Sequence, residues 1–244
     1  RMFPELFEKL KIETVENYPN YLLDALKSLA PKKCNKEPKV VILTPGSLNS
    51  AYYEHSFLAD LMGVELVQGN DLFVDESITY MKTTRGPEKV DIIYRRIDDK
   101  FIDPITFDSS SLIGIPGLFD SYKSGNVNIC SAPGSGIADD KAIYSYIPEI
   151  IKFYLGEEPI LENVKTWRCC EEDAKKYVLN NLSKLVVKEV HGSGGYGLLI
   201  GSKSSKKEIE IFRKKILLNP ANYIAQPILE LSSVPILSLI HISE

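Results

Sequence analysis

The sequence predicts an α/β (α+β) fold in which a parallel-rich region precedes a smaller antiparallel region. Between residues 40 and 150, short apolar runs alternate with helical stretches, which is the pattern of a parallel sheet with crossover helices. Later in the chain, two apolar β runs flank a glycine-rich loop and predict a hairpin. We therefore expect a helical lead-in over 1–39, an α/β region over 40–156, a smaller subdomain over 157–235 and an unassigned tail over 236–244.

Composition favours an ordinary enzyme-like domain. With 244 residues, 44% of them hydrophobic and 25% charged, the chain can bury a core and form one or two domains. A net charge of −4 argues against a nucleic-acid binder that works by counterion release. No apolar run approaches the roughly 18 residues of a membrane span, and no signal peptide opens the chain. We expect a cytoplasmic protein that binds neither nucleic acid nor membrane.

The four cysteines predict no metal or disulfide framework. They show no C-x-x-C spacing, and two of them, Cys169 and Cys170, are adjacent. Reduced structural thiols are the expected state.

The lead-in and the first strand have simple signatures. Asn17–Pro19 has turn chemistry, and Tyr21–Ala30 follows it as a predicted helix. Val40–Leu43 is an unbroken apolar run, which suits the middle of a parallel sheet covered on both faces.

Polar side chains follow the first strand, at the edge where open α/β sheets bind ligands. Asn49 or Ser50 can cap a helix that begins near Ala51. A packed or solvated role remains an alternative for His55 and for Glu54. The candidate substrate contacts at this edge are Asn49, Tyr52, Glu54 and His55.

The rest of the α/β region contains further strands and two helices. One predicted helix, Leu112–Ser124, is interrupted by glycine and proline. Asp139 is placed to cap a second helix that runs from Lys141 to Tyr154. The predicted strands are Val64–Val67, a hairpin of Leu72–Val74 with Ile78–Met81, Val90–Tyr94 and Val127–Cys130.

Two adjacent arginines follow the strand Val90–Tyr94. Neighbouring side chains on an extended chain point to opposite faces, so at most one of Arg95 and Arg96 can reach a given site. A guanidinium suits a carboxylate or a phosphoryl group, which it binds in bidentate fashion. The alternative is a salt-bridge cluster with Asp98 and Asp99 that holds the loop.

The second region is built around a glycine loop. Four glycines lie within the six residues 192–197, between apolar β runs, and Lys188 precedes them. Glycines at this density let backbone N–H groups contact an anion such as phosphate, because no Cβ blocks the approach. The alternative is a β-hairpin with a wide turn. Helices are predicted near this loop over Glu171–Asn180 and Ser205–Leu217.

Common phosphate-binding motifs do not fit this loop. A dinucleotide fold needs a helix to begin inside G-x-G-x-x-G, whereas the four residues Leu198–Gly201 are too short and apolar. A P-loop would end in Gly-Lys-Ser/Thr, and a protein kinase carries its lysine after the loop. A strand, a glycine loop and a returning strand remain, with the lysine before the loop.

The order of motifs resembles the circularly permuted ATP-grasp family, whose relatives include glutathionylspermidine synthase. Lys141 at a helix start comes first, then Lys188 with its loop, then an apolar strand with Gln226-Pro227 as a hinge. The resemblance extends to about Pro235. It is carried by residues 43–55, 93–99, 132–141, 188–197 and 223–227.

The resemblance implies an ATP-dependent carboxylate–amine ligase with a nucleotide-clamping subdomain. Such enzymes phosphorylate a carboxylate to an acyl phosphate, which an amine then displaces to form an amide. Arg95 or Arg96 would hold the substrate carboxylate or phosphate as catalytic residues. The implied ATP contacts are Lys141, Lys188, the lid residues Gly192, Ser193, Gly194, Gly195, Tyr196 and Gly197, and the adenine hinge at Gln226 and Ile228.

The resemblance also implies ATP and Mg²⁺ as cofactors, with peptide-like or small carboxylate and amine substrates. In the family, the acidic strands that bind Mg²⁺ precede the part that corresponds to Arg1. We therefore expect an internal fragment without metal ligands that is inactive alone and ends in a foreign tail. The alternative function is a non-catalytic ATP-grasp-like scaffold that holds a nucleotide or a peptide.

Overall fold

The computed structural model describes residues 4–11, 14–192, 195 and 197–230. The chain forms two compact units, the first ending at Gly136 and the second beginning at Ile137. Residues 137–156, which the sequence pattern groups with the α/β region, belong to the second unit. One contact that joins this segment to the second unit is a backbone hydrogen bond, in which the N–H of Lys141 donates to the carbonyl of Val190 at 3.2 Å.

The first unit contains four helices and seven strands among the described residues. In chain order they are α1 (Pro4–Lys9), α2 (Tyr18–Ser28), β1 (Val40–Leu43), α3 (Tyr52–Met62), β2 (Glu65–Val67), β3 (Leu72–Asp75), β4 (Ile78–Thr83), β5 (Gly86–Lys89), β6 (Ile92–Arg95), α4 (Leu118–Lys123) and β7 (Asn128–Cys130).

A parallel sheet forms the centre of the first unit, in the order β2-β1-β6-β7. Val40 and Ile42 pack against helices α2 and α3 on one face, whereas Val41 and Leu43 join a second cluster with Leu118 of α4. Because both faces are covered, β1 is apolar at every position. This confirms the predicted parallel α/β region.

A separate antiparallel sheet contains β3, β4 and β5. The hairpin of β3 and β4 is the predicted one. Strand β5 was not predicted, because Gly86–Lys89 lacks apolar alternation and contains Pro87, which is tolerated at a sheet edge.

Proline and glycine shift several predicted helix boundaries. Helix α2 begins at Tyr18 because Pro19 fits the first turn, where no N–H is needed. The predicted helix Leu112–Ser124 is reduced to α4. Before α4, Gly117 has φ +81°, and a Cβ at Gly114 would lie 2.1 Å from the Phe101 carbonyl oxygen, so these residues form a packed turn.

The second unit contains four helices and four strands among its described residues. They are α5 (Lys141–Tyr144), α6 (Ile147–Leu155), β8 (Trp167–Arg168), α7 (Glu172–Asn181), β9 (Leu185–Glu189), β10 (Leu198–Ile200), α8 (Lys206–Leu218) and β11 (Tyr223–Pro227). The single helix predicted from Lys141 to Tyr154 is two helices, because Pro148 lacks the N–H that would continue α5.

An antiparallel sheet in the order β10-β9-β11-β8 organises the second unit. Its buried residues, including Val187, Leu199 and Ala225, pack with Val178 of α7 and Ile216 of α8. This confirms the predicted antiparallel subdomain. None of the helices that the structure describes has the length and apolarity that a bilayer crossing requires.

Candidate functional site

A cavity of about 470 Å³ in the second unit brings together three of the predicted site residues. Lys141 comes from the start of α5, Lys188 from β9 and Gln226 from the neighbouring strand β11. Their convergence is not local in sequence and depends on the antiparallel sheet. The remaining lining residues are Ala138, Asp139, Asp140, Tyr144, Val164, Ile224 and Leu229.

Gln226 orients Lys188. In the register of β9 and β11, Lys188 pairs with Ile224, so Gln226 is its diagonal neighbour on the same face. The Lys188 ammonium donates to Gln226 Oε1 at 2.8 Å, and Gln226 Nε2 donates to Thr166 Oγ1 at 2.9 Å. The Thr166 hydroxyl in turn donates to the Val164 carbonyl at 2.9 Å. An ammonium has donors only, so this chain fixes the amide oxygen toward Lys188.

Sequence reasoning missed Thr166. It precedes the two-residue strand β8, which is too short for any periodic pattern, and its partner is 60 residues away in sequence. The Gln226 side chain is thus engaged on both sides, by Lys188 and by Thr166.

Lys141 lies at the entrance of the glycine loop. Its ammonium donates to the Gly192 carbonyl and, at 3.5 Å, to the Val190 carbonyl. Asp140, rather than the predicted Asp139, caps helix α5, with its carboxylate accepting the Ala142 N–H at 2.7 Å. The prediction was wrong by one residue, because the cap must directly precede the first helical residue.

The loop closes β9 and β10 into a hairpin at positions that require glycine. Gly195 and Gly197 have φ of +80° and +66°, which side-chain-bearing residues rarely adopt. The Gly197 carbonyl accepts the Glu189 N–H at 3.0 Å, and a Cβ at Gly197 would lie 2.4 Å from Glu189 Cδ. The predicted lid residues Ser193, Gly194 and Tyr196 lie outside the described residues.

In the first unit, His55 is buried and neutral. Only 3% of it is exposed, and its Nδ1 lies 2.9 Å from Thr44 Oγ1. The Gly46 N–H donates to the same Thr44 oxygen at 3.3 Å. We assign the Thr44 hydroxyl as the donor to Nδ1, which places the imidazole proton on Nε2. Burial lowers the pKa of His55, and the positive charge of Arg96 lowers it further.

The other predicted substrate residues have separate roles. Asn49 Oδ1 accepts the Ala51 N–H at 2.9 Å and so stabilises the turn before α3. Neither Asn49 nor Ser50 is the helix cap, because Ala51 occupies that position without a side-chain bond. Glu54 lines a second cavity together with His55, whereas Tyr52 is half-buried at the first turn of α3.

The two arginines point to different environments, as the strand alternation predicts. Arg95 is almost buried, forms an ion pair with Asp99 at 2.5 Å and donates to the Ser131 carbonyl at 2.7 Å. These contacts correspond to the interpretation in which the cluster holds a loop. Arg96 is exposed, with its guanidinium 3.4 Å from the Tyr94 hydroxyl, and lines the second cavity.

We expect His55 to make the protein less stable as pH falls from about 7 to 5. The unfolded histidine titrates near pH 6.5, whereas the folded one has a lower pKa, so the unfolded state binds more protons in this window. The histidine contribution is therefore present above pH 6.5 and lost on acidification. Urea unfolding at several pH values should give a shallower pH dependence for His55→Gln. The variant His191→Gln, whose side chain is 76% exposed, should follow the parent, and parallel curves for all three would contradict the argument.

No group of three or more His, Cys, Asp or Glu side chains that could hold a metal is found in the part of the chain that the structure describes.

The parallel α/β unit and the antiparallel unit with its glycine hairpin fit the fold that the resemblance implies, and sequence comparison identifies the family. The chain belongs to the circularly permuted ATP-grasp type 2 family, whose model matches residues 1–243. This confirms the resemblance described above.

Relatives extend the comparison. An uncharacterised protein of Synechocystis is 52% identical over 96% of this chain and 49% of that protein. One from Mycobacterium tuberculosis is 48% identical over 96% of this chain and 42% of its own length. A Frankia alni protein provisionally named glutamate–cysteine ligase 2-3 is 38% identical over 96% of this chain and 27% of its own length. The chain thus spans about half, or less, of the length of these relatives.

Among solved structures, D-alanine–D-alanine ligase from Helicobacter pylori matches with a TM-score of 0.40 and 9% identity. The match covers 79% of this chain and 64% of that one.

Proposed function

We propose that the second unit binds ATP and serves an ATP-dependent carboxylate–amine ligase. The observation that carries this proposal is the convergence of Lys141 and Lys188 in one cavity, with Lys141 bonded to the first glycine of the hairpin loop. Two ammonium groups in one cavity are suited to a polyphosphate. Family membership supports the same assignment.

In the proposed reaction, a substrate carboxylate oxygen attacks the γ-phosphorus of ATP and ADP leaves. The amine nitrogen then attacks the acyl carbon, phosphate leaves, and an amide forms. Phosphoryl transfer depends mainly on positioning and charge neutralisation, which Lys141, Lys188 and the loop 192–197 would provide. Mg²⁺ supplies further neutralisation in such enzymes. We assign no step to it.

The backbone near Ile228 would contact adenine, and Gln226 would hold Lys188. The first unit would bind the substrate, with Arg96, Glu54 and His55 at its surface cavity and Asn49 and Tyr52 beside it. For Arg95 we propose a supporting role, since its donors already contact the loop carbonyls and Asp99.

We infer a cytoplasmic location, where ATP is available and thiols stay reduced. All four cysteines are free thiols in the structure. Burial raises the pKa of Cys169 to about 12, which makes it an unreactive core residue.

A thermal-shift titration with ATP and Mg²⁺ tests the proposal. It is run on the 244-residue chain and on a longer chain that spans the full length of the relatives. A ligand that binds only the folded state raises the unfolding free energy by about 2.7 kcal/mol at a hundredfold excess over Kd. We expect this protection in the longer chain at least, with ADP release that requires both a carboxylate and an amine.

Absence of ATP protection in both chains would contradict the proposal. Protection without ADP release, over a broad set of acids and amines, would favour the non-catalytic scaffold.

A further inference from the structure

A groove of about 730 Å³ lies in the first unit and shares no lining residue with the cavity of the second unit. We call it the α2–α3 groove, because helices α2 and α3 form its sides and the end of β6 closes it. Its volume lies within the range of small-molecule sites, which are mostly apolar with a few converging polar groups. It also lies at the carboxyl end of β6, the edge of a parallel sheet where ligands bind.

One wall of the groove is aromatic and aliphatic. Tyr53 and Phe57 are one helical turn apart on α3 and stack with their ring centroids 5.9 Å apart and an interplanar angle of 7°. Tyr18 of α2 and Leu61 of α3 extend this wall. Each of the four side chains is at least half exposed, although all are large and apolar. Such a wall favours an apolar guest of moderate size.

The charged and imidazole side chains that line the groove are one cation, Arg96, two carboxylates, Glu16 and Glu54, and the neutral ring of His55. Arg96 contacts the hydroxyl and the ring of Tyr94. His55 uses Nδ1 toward Thr44, which leaves Nε2–H as a donor. Glu54 precedes His55 on α3 and lines the same groove. Burial and the charge of Arg96 lower the pKa of His55, whereas the charge of Glu54 raises it.

We propose that the α2–α3 groove binds an α-amino acid with a large apolar side chain. Its carboxylate pairs with Arg96 and the His55 donor, its ammonium with Glu54, and its side chain packs on Tyr53 and Phe57. A fatty acid would also match the apolar wall and Arg96. It has no ammonium group, however, and would leave Glu54 without a cationic partner. Assigning the bound amino acid as a ligase substrate rests on the proposed function, whereas the binding itself does not.

Calorimetric titration without ATP tests this proposal, with L-phenylalanine as the probe. Two analogues each lack one charged group: 3-phenylpropionate has no ammonium, and 2-phenylethylamine has no carboxylate. We expect saturable one-to-one binding of phenylalanine, with both analogues bound at least tenfold more weakly. Arg96→Met should weaken phenylalanine at least tenfold and leave 2-phenylethylamine unchanged, and Glu54→Gln should weaken phenylalanine but not 3-phenylpropionate.

Arg85→Met is the matched control, because Arg85 is an exposed arginine of the same unit outside the groove. It should bind phenylalanine like the parent. Failure of phenylalanine to saturate, or equal affinity in Arg96→Met and the parent, would overturn the proposal.

A second copy of the chain is the competing occupant. Sedimentation measures whether the parent chain forms a dimer and compares it with the variants Leu61→Asp and Leu48→Asp. Leu61 lines the groove, whereas Leu48 is a fully exposed leucine outside it. A dimer that only Leu61→Asp dissociates would show a protein interface and overturn the proposal. Because the ATP titration reports on the second unit, phenylalanine binding without ATP protection would retain this site and reject the ligase assignment.

Discussion

Replacement of Lys188 with methionine is expected to remove most of the protection that ATP gives against thermal unfolding. Methionine keeps the apolar stem of this half-buried side chain within β9 but removes the only charge that the strand directs into the cavity. A hydrogen bond to a charged group contributes about 1.5–3 kcal/mol, so ATP should bind roughly 10–100-fold more weakly. At ATP tenfold above the parent's Kd, a hundredfold loss lowers the stabilisation from about 1.4 to about 0.1 kcal/mol.

Two further variants make this experiment specific. Lys184→Met removes an exposed lysine just before the same strand and should keep full ATP protection. Thr166→Val keeps the charge of Lys188 but removes the hydroxyl that fixes Gln226, so we expect a smaller loss of affinity, of a few fold. Unchanged protection in Lys188→Met would reject Lys188 as a phosphate contact, and parent-like affinity in Thr166→Val would reject Thr166 as a positioning residue.

The sequence was sufficient to predict an element of the fold where its local residue pattern matches its burial. Strand β1 is apolar at every position because both its faces are covered, and the pattern alone predicts that. The hairpin around the glycine loop is similarly local, since its two strands are separated by a few residues. Helix α8 begins with a capping box between Ser205 and Glu208, a signal that is fully written within four residues.

The sequence was insufficient to predict contacts between residues that lie far apart along the chain. Strand alternation predicts that Arg95 and Arg96 separate, but only the tertiary structure shows that Arg95 meets the carbonyls of Ser131 and Ala132. The role of Gln226 likewise depends on Thr166, which no motif marks. Such contacts depend on which strands become neighbours in the sheet. Strand β8 pairs with β11, but its two residues are too few to give a recognisable sequence pattern.

Gly201, the residue that follows strand β10, contacts the backbone of another segment and so holds the hairpin in place. A Cβ at Gly201 would lie 1.9 Å from the Leu182 carbonyl oxygen and 2.8 Å from the Ser183 carbonyl carbon. Both are backbone atoms and cannot rotate away as a side chain could. Gly201 directly follows Ile200 of β10, so this close approach fixes the returning strand against the turn that precedes β9.

We therefore expect Gly201→Ala to lower the unfolding free energy by about 3 kcal/mol or more, at the upper end of overpacking effects. The matched control is Gly156→Ala in the same unit, where φ is +69° and no atom lies within 4 Å of the added Cβ. There only the left-handed backbone is strained, at a cost of about 1–2 kcal/mol. Urea unfolding curves compare the two variants, and ATP titration of folded Gly201→Ala should also show reduced protection because β10 is displaced from β9. Equal destabilisation by the two substitutions would mean that the backbone at Gly201 can yield, and that the position of the hairpin does not depend on this contact.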